Sequence, residues 1–199
     1  YEHVETAVLA GADFIGLMFA PSQRQITVEQ ALELVKFVPE TVKIVGVFVN
    51  EAPEIIQQIA AQVGLDYVQY HGDETPELIA EIGLPAIKAI SIRSVEDVKK
   101  AATYDVAYYL FDAPGTDFRG GSGHTFNWTL LEEANIPCEK IILAGGLTSK
   151  NISQAIKTVQ PFAVDVSSGV ERDSMKDSTL IKQFIPVSYT HLTLPTSDL

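Results

Sequence analysis

Short apolar runs alternate with longer stretches whose apolar positions recur at helical spacing. Runs at residues 13–19, 42–49, 67–70, 86–91 and 107–112 read as strands, and two more begin at Ile141 and Ala163. Such near-continuous hydrophobicity marks parallel strands buried on both faces. Between them, residues 27–38, 52–63, 76–82, 95–102, 127–134, 149–159 and 178–185 read as helices. Thr27 with Gln30 makes a capping box at one helix start. Gly11 closes a further helix that opens the chain. Strict strand–helix alternation predicts a parallel sheet.

The leading helix has no strand before it, so an additional first strand is expected ahead of Tyr1. Adding it gives a compact (β/α)₈ barrel, at the small end of that fold's range. A doubly wound open sheet is the rival, but no early strand carries a dinucleotide fingerprint and no Walker-type loop occurs. The absence of an initiator methionine, and a start that is already helical, read as truncation. Beyond Pro186 the helical pattern lapses. Residues 187–199 resemble read-through into cloning sequence or a poorly ordered tail, and are set aside. The expected organisation is one barrel domain over residues 1–186.

Composition narrows the possibilities. Of 199 residues, 46% are hydrophobic and 20% charged, which suits a folded core. The net charge of −12 argues against a nucleic-acid partner. The single cysteine, Cys138, excludes an internal disulfide framework and a cysteine-based metal site. No apolar run is long enough for a membrane span, and no signal peptide opens the chain. The reading is a cytoplasmic protein of the reducing compartment.

Candidate chemistry gathers at the strand ends, where a barrel of this kind places its site. Two strand ends are rich in small residues: Leu143-Ala144-Gly145-Gly146-Leu147 and Val164-Asp165-Val166-Ser167-Ser168-Gly169. Glycine permits close backbone approach, and a following helix start offers unpaired N–H groups to an anion. A third glycine-rich stretch, Arg119-Gly120-Gly121-Ser122-Gly123-His124, follows the strand that ends at Asp112. Glycine clusters are most often turns, but three such sites together predict a phosphate cup built from Gly121, Ser122, Gly123, Gly145, Gly146, Ser167, Ser168 and Gly169. His71, Asp112 and Asp165 stand at strand ends, and Arg24 lies in the loop after the first observed run.

These motifs, with Gly46-Val47-Phe48-Val49-Asn50, Gln69-Tyr70-His71-Gly72, Leu110-Phe111-Asp112 and Thr125-Phe126-Asn127-Trp128, resemble the phosphoribosylanthranilate isomerase family in order and spacing. The resemblance runs from about Glu2 to Ile185. It implies an Amadori rearrangement of N-(5-phosphoribosyl)anthranilate to its 1-deoxyribulose isomer, in tryptophan biosynthesis. No metal or other cofactor is implied, the partner is a small phosphosugar, and the protein is a monomer or homodimer.

By the same resemblance Asp112 is the general acid, with a turn-capping carboxylate as the other reading. Arg24 faces the anthranilate carboxylate, or is an exposed loop arginine. His71 lies at the site's edge, or is a structural histidine. Asp165 holds a sugar hydroxyl, or braces its loop. His124 departs from a common lysine after Gly-Ser-Gly and is expected to weaken phosphate affinity.

The family's general base is a cysteine on the first strand. Cys138 lies at the wrong end to replace it, so these 199 residues are expected to be inactive or nearly so. Indole-glycerol-phosphate synthase and ribulose-phosphate epimerase are disfavoured by the want of strand-end lysines and of several strand-end histidines. A non-catalytic phosphate-binding relic is the alternative of a different class.

Overall fold

Seven parallel strands form one sheet in strict chain order in the computed structural model, which describes residues 1–114 and 125–192. Helix α1 (Glu2–Ala10) stops at Gly11, whose φ of 99° suits glycine in a helix-ending turn. Then follow β1 (Phe14–Met18), α2 (Val28–Val35), β2 (Lys43–Phe48), α3 (Pro53–Val63), β3 (Tyr67–Tyr70), α4 (Pro76–Ile82), β4 (Ala86–Ser91) and α5 (Val95–Ala101). Next come β5 (Tyr108–Asp112), a 3₁₀ helix (Trp128–Ala134), β6 (Ile141–Leu143), α6 (Ile152–Val159) and β7 (Ala163–Val164). A short hairpin, β8 (Glu171–Arg172) and β9 (Met175–Lys176), leads into α7 (Ser178–Leu192).

Local chemistry explains several boundaries. Thr27 Oγ1 accepts the Gln30 N–H while Gln30 returns its side-chain oxygen to Thr27 N–H, the expected capping box. Pro53 and Pro76 stand in the first turns of α3 and α4, where no intrahelical N–H is needed. The 127–134 segment is a 3₁₀ helix rather than the expected α-helix, with Asn127 Oδ1 accepting from Thr129 N–H at its start.

The sheet separates two apolar layers. Val45, Ile87, Ala89, Leu110, Ile142 and Ala144 cluster on one face, with no helix residue among them. The other face packs Phe48, Val68, Tyr70, Phe111 and Leu143 against buried helix residues such as Ile56, Val98 and Ile152. An aromatic row crosses the N-terminal ends of the strands. Phe14, Tyr67, Tyr108 and Phe162 have successive centroid separations of 6.1, 5.7 and 4.8 Å. The opposite, C-terminal end is thereby left for polar side chains.

Strands β1 and β7 border the sheet and do not pair with each other among the described residues. Helices α1 and α7 pack beside this opening, where Thr6 donates to Ser178 at 3.3 Å and the Tyr189 hydroxyl donates to Asp13. Helix α7 continues through Pro186, and Ser188 on it is buried. The expected boundary at residue 186 therefore falls inside a continuous helix, and of the 187–199 tail only 193–199 lies outside the described residues. Among the described residues no helix is long and apolar enough to cross a membrane.

Candidate active site

Backbone bonds beyond the strand ends hold the polar residues in register. Ala144 N–H donates to Phe111 O at 2.8 Å, Asp165 N–H to Leu143 O at 2.8 Å, and His71 N–H to Phe48 O at 2.9 Å. Alternation along β3 and β5 places Gln69 and Asp112 on the face away from the helices, and His71 follows β3 in the same phase. One cleft at this end is lined by Asp112, Ala144–Leu147, Asp165 and Ser167–Gly169. Close backbone approach makes glycine necessary at two of these positions. At Gly145, with φ of 85°, an added Cβ would stand 2.3 Å from Ala113 N. At Gly169 it would stand 1.7 Å from Leu147 O.

Asp112 is buried on the cleft wall. Its Oδ2 stands 3.5 Å from His71 Nε2, a buried nitrogen with no hydrogen-bond partner within reach. The other ring nitrogen, Nδ1, is 3.2 Å from Gln69 Nε2. Asp165 is deeply set among protein atoms, although its side chain keeps access to water along the cleft. Crowding by protein and then the nearby Asp112 charge push its carboxyl above the ordinary range, against the opposing pull of Lys176 and His71.

A second polar cluster flanks the cup. Arg24 grips Glu171 with Nε and Nη2, both at 2.7 Å from its carboxylate oxygens. Lys176 Nζ reaches the same carboxylate at 2.8 Å and donates to Ser167 O and Oγ at 2.8 and 3.1 Å. The hairpin β8–β9 is thus tied both to the loop after β1 and to the cup. Burial pushes the Glu171 carboxyl up, but the bonds from Arg24 and Lys176 outweigh it and hold it below the ordinary range. Such a depressed carboxylate stabilises the fold above its unfolded pKa, and that contribution is lost as pH falls through its folded value. Glu171→Gln is therefore expected to lower the urea midpoint at neutral pH, with the difference from wild type shrinking as pH falls through the carboxylate range. A constant difference across that range would refute this linkage.

A third cluster lies behind the site. Lys88, on β4, is 2% exposed and donates to Glu74 Oε2 at 2.9 Å, Gly72 O at 2.8 Å and Tyr70 O at 3.2 Å. Glu74 also accepts the Asn50 N–H at 2.8 Å and the Gly72 N–H at 2.9 Å. These bonds lock the loop that carries His71.

The sequence model of the family described as N-(5'phosphoribosyl)anthranilate (PRA) isomerase matches residues 1–187. The chain belongs to this phosphoribosylanthranilate isomerase family. It is 49% identical over 188 residues to the N-(5'-phosphoribosyl)anthranilate isomerase of Bacillus cereus strain ATCC 14579, covering 92% of each chain. The crystal structure of phosphoribosyl anthranilate isomerase from Thermotoga maritima matches with a TM-score of 0.85 and 38% identity, over 95% of this chain and 94% of that one. A crystal structure of the isomerase in complex with reduced 1-(o-carboxyphenylamino)-1-deoxyribulose 5-phosphate matches at a TM-score of 0.82 and 36% identity, over 95% and 93%.

Set beside the expectations raised by resemblance to the phosphoribosylanthranilate isomerase family, the structure brings Asp112, Gly145, Gly146, Asp165, Ser167, Ser168 and Gly169 to one cleft. His71 joins through Asp112. Arg24 lies at the flank, engaged by Glu171. Gly121, Ser122, Gly123 and His124 lie outside the described residues. Cys138 is exposed in a 3₁₀ turn just ahead of β6, at the end remote from Asp112. Sequence reasoning missed Gln69 and Lys176 as members of these clusters. The two-residue spacing of Gln69 and His71 carried the first signal, whereas nothing local to the hairpin announced Lys176.

Proposed function

We propose that this protein catalyses the Amadori rearrangement of N-(5-phosphoribosyl)anthranilate to 1-(2-carboxyphenylamino)-1-deoxyribulose 5-phosphate, in tryptophan biosynthesis. The observation that carries the reading is the shared cleft: Asp112 lines the same wall as the small-residue turns at Gly145–Gly146 and Ser167–Gly169. A phosphate seated on those turns sets the sugar beside the Asp112 carboxyl. Asp112 gives its proton to the furanose ring oxygen, and the ring opens to a Schiff base. A base on the far side of the substrate then removes the C2 proton, and the enol relaxes to the ketone.

Asp165 holds a sugar hydroxyl. Arg24 presents its Nη1–Nη2 edge to the anthranilate carboxylate, its Nε–Nη2 edge being taken by Glu171. Gly121, Ser122 and Gly123 complete the phosphate cup. The complete fold is the closed eight-stranded barrel. Gly16 is exposed on β1 and both residues of β7 are half-exposed, and a strand entering between them closes the sheet and brings the base. The protein acts in the cytoplasm, as a monomer or homodimer.

The test follows the loss of phosphoribosylanthranilate fluorescence on the full-length protein. Turnover of phosphoribosylanthranilate is the expected result. Phosphate binding without turnover would replace the isomerase by a non-catalytic binding barrel.

A further inference from the structure

We propose that Gln69 is a positioning residue: its side-chain amide fixes the His71 tautomer, and through it decides which oxygen of Asp112 carries the proton. This inference rests on the role given above to Asp112. Gln69 is 9% exposed on the inner face of β3, two residues before His71. Its Nε2, which can only donate, stands 3.2 Å from His71 Nδ1. With the amide turned this way, Nδ1 accepts and the proton of a neutral imidazole resides on Nε2. That nitrogen is buried, lacks a hydrogen-bond partner, and faces Asp112 Oδ2 at 3.5 Å.

The consequence follows from donor and acceptor roles. A proton on Nε2 gives Oδ2 a donor rather than a lone pair as its neighbour at 3.5 Å, which favours the carboxyl proton on Oδ1. Oδ1 is the oxygen on the Gly145 side, since a Cβ added there would stand 3.0 Å from it. The opposite tautomer would aim a lone pair at Oδ2 and draw the acid proton there, away from the cup. One amide bond thus keeps the acid proton on the side where the proposed substrate's ring oxygen lies.

Nitrogen-15 spectroscopy of histidine-labelled full-length protein, above the imidazolium titration range, reads the tautomer directly. The chain has four histidines, and a His71→Asn sample assigns the signal. Wild type is expected to show His71 protonated at Nε2. Gln69→Leu should shift the signal toward a mixture of tautomers. Gln69→Glu, whose carboxylate accepts from Nδ1–H, should invert it. In the fluorescence assay Gln69→Leu should lower kcat roughly 3- to 10-fold, the effect of one neutral hydrogen bond, with KM little changed. A wild-type Nδ1–H signature, or a tautomer indifferent to both substitutions, would overturn the proposal even if turnover fell. Wild type without turnover would remove the isomerase reading and leave the tautomer measurement standing.

Discussion

Asp112→Asn is expected to lower kcat by about 10²- to 10⁴-fold while KM for phosphoribosylanthranilate changes little. That range is the usual contribution of a positioned general acid. Asparagine preserves the shape of the side chain and still offers an oxygen to His71 Nε2–H. It cannot surrender a proton to a ring oxygen. Because Asp112 is held within strand β5 and 5% exposed, the substituted amide has little freedom to reorient. The cup turns at Gly145–Gly146 and Ser167–Gly169 are separate from it in sequence, so phosphate affinity should survive. Initial-rate kinetics on the full-length protein separate the two parameters. A fall in kcat below tenfold would remove Asp112 from the acid role, and a parallel rise in KM would reassign it to binding.

The largest effect on stability is expected at Lys88. Lys88→Met leaves the Glu74 carboxylate buried without its cation, and breaking such a pair costs about 3–5 kcal/mol. Burial pulls the Lys88 ammonium down from its ordinary pKa, with Glu74 opposing. Desolvation is thus already the dominant influence on this group. Replacing both charges behaves differently. In Lys88→Met with Glu74→Gln, an amide oxygen at the Oε1 position still accepts both the Asn50 and the Gly72 N–H groups, as Oε1 now does at 2.8 and 3.2 Å. The double variant should therefore be more stable than Lys88→Met alone. Urea unfolding with an unchanged slope checks both statements. A single-variant cost under about 1 kcal/mol would show that water reaches the pair.

Much of the strand–helix order was legible because each strand is a short apolar run and each helix has its own local signal. Thr27, Gln30 and Gly11 did in the structure what their residue types suggested. Over 127–134 the pattern was too short to separate a 3₁₀ from an α-helix. Strand β7 begins at Ala163 as the pattern suggested, but it holds only two residues and, among the described residues, only its β6 side carries a ladder. The hairpin was missed because its turn, Asp173-Ser174, adopts φ of 52° and 63° without the glycine or asparagine that normally announces such a turn.

The small-residue turns that line the cleft were legible for a similar local reason, since small residues cluster where backbones must approach. The pairings were not. Arg24 and Glu171 lie 147 residues apart, and only the folded sheet brings them together. Lys88 was readable as a strand residue, but periodicity cannot show that a loop carboxylate comes round to meet it. Gln69 lay within reach of sequence logic, since alternation puts it on the His71 face. What alternation could not supply was the direction of its amide.

The aromatic row from Phe14 to Phe162 has a consequence for how such a chain can change over time. Its four rings hold the strands at one end by contacts that are indifferent to the chemistry performed at the other. Selection can therefore exchange the polar strand-end residues, one catalytic repertoire for another, while the inherited scaffold persists. Replacing an anchoring ring such as Tyr108 instead weakens any activity the scaffold hosts.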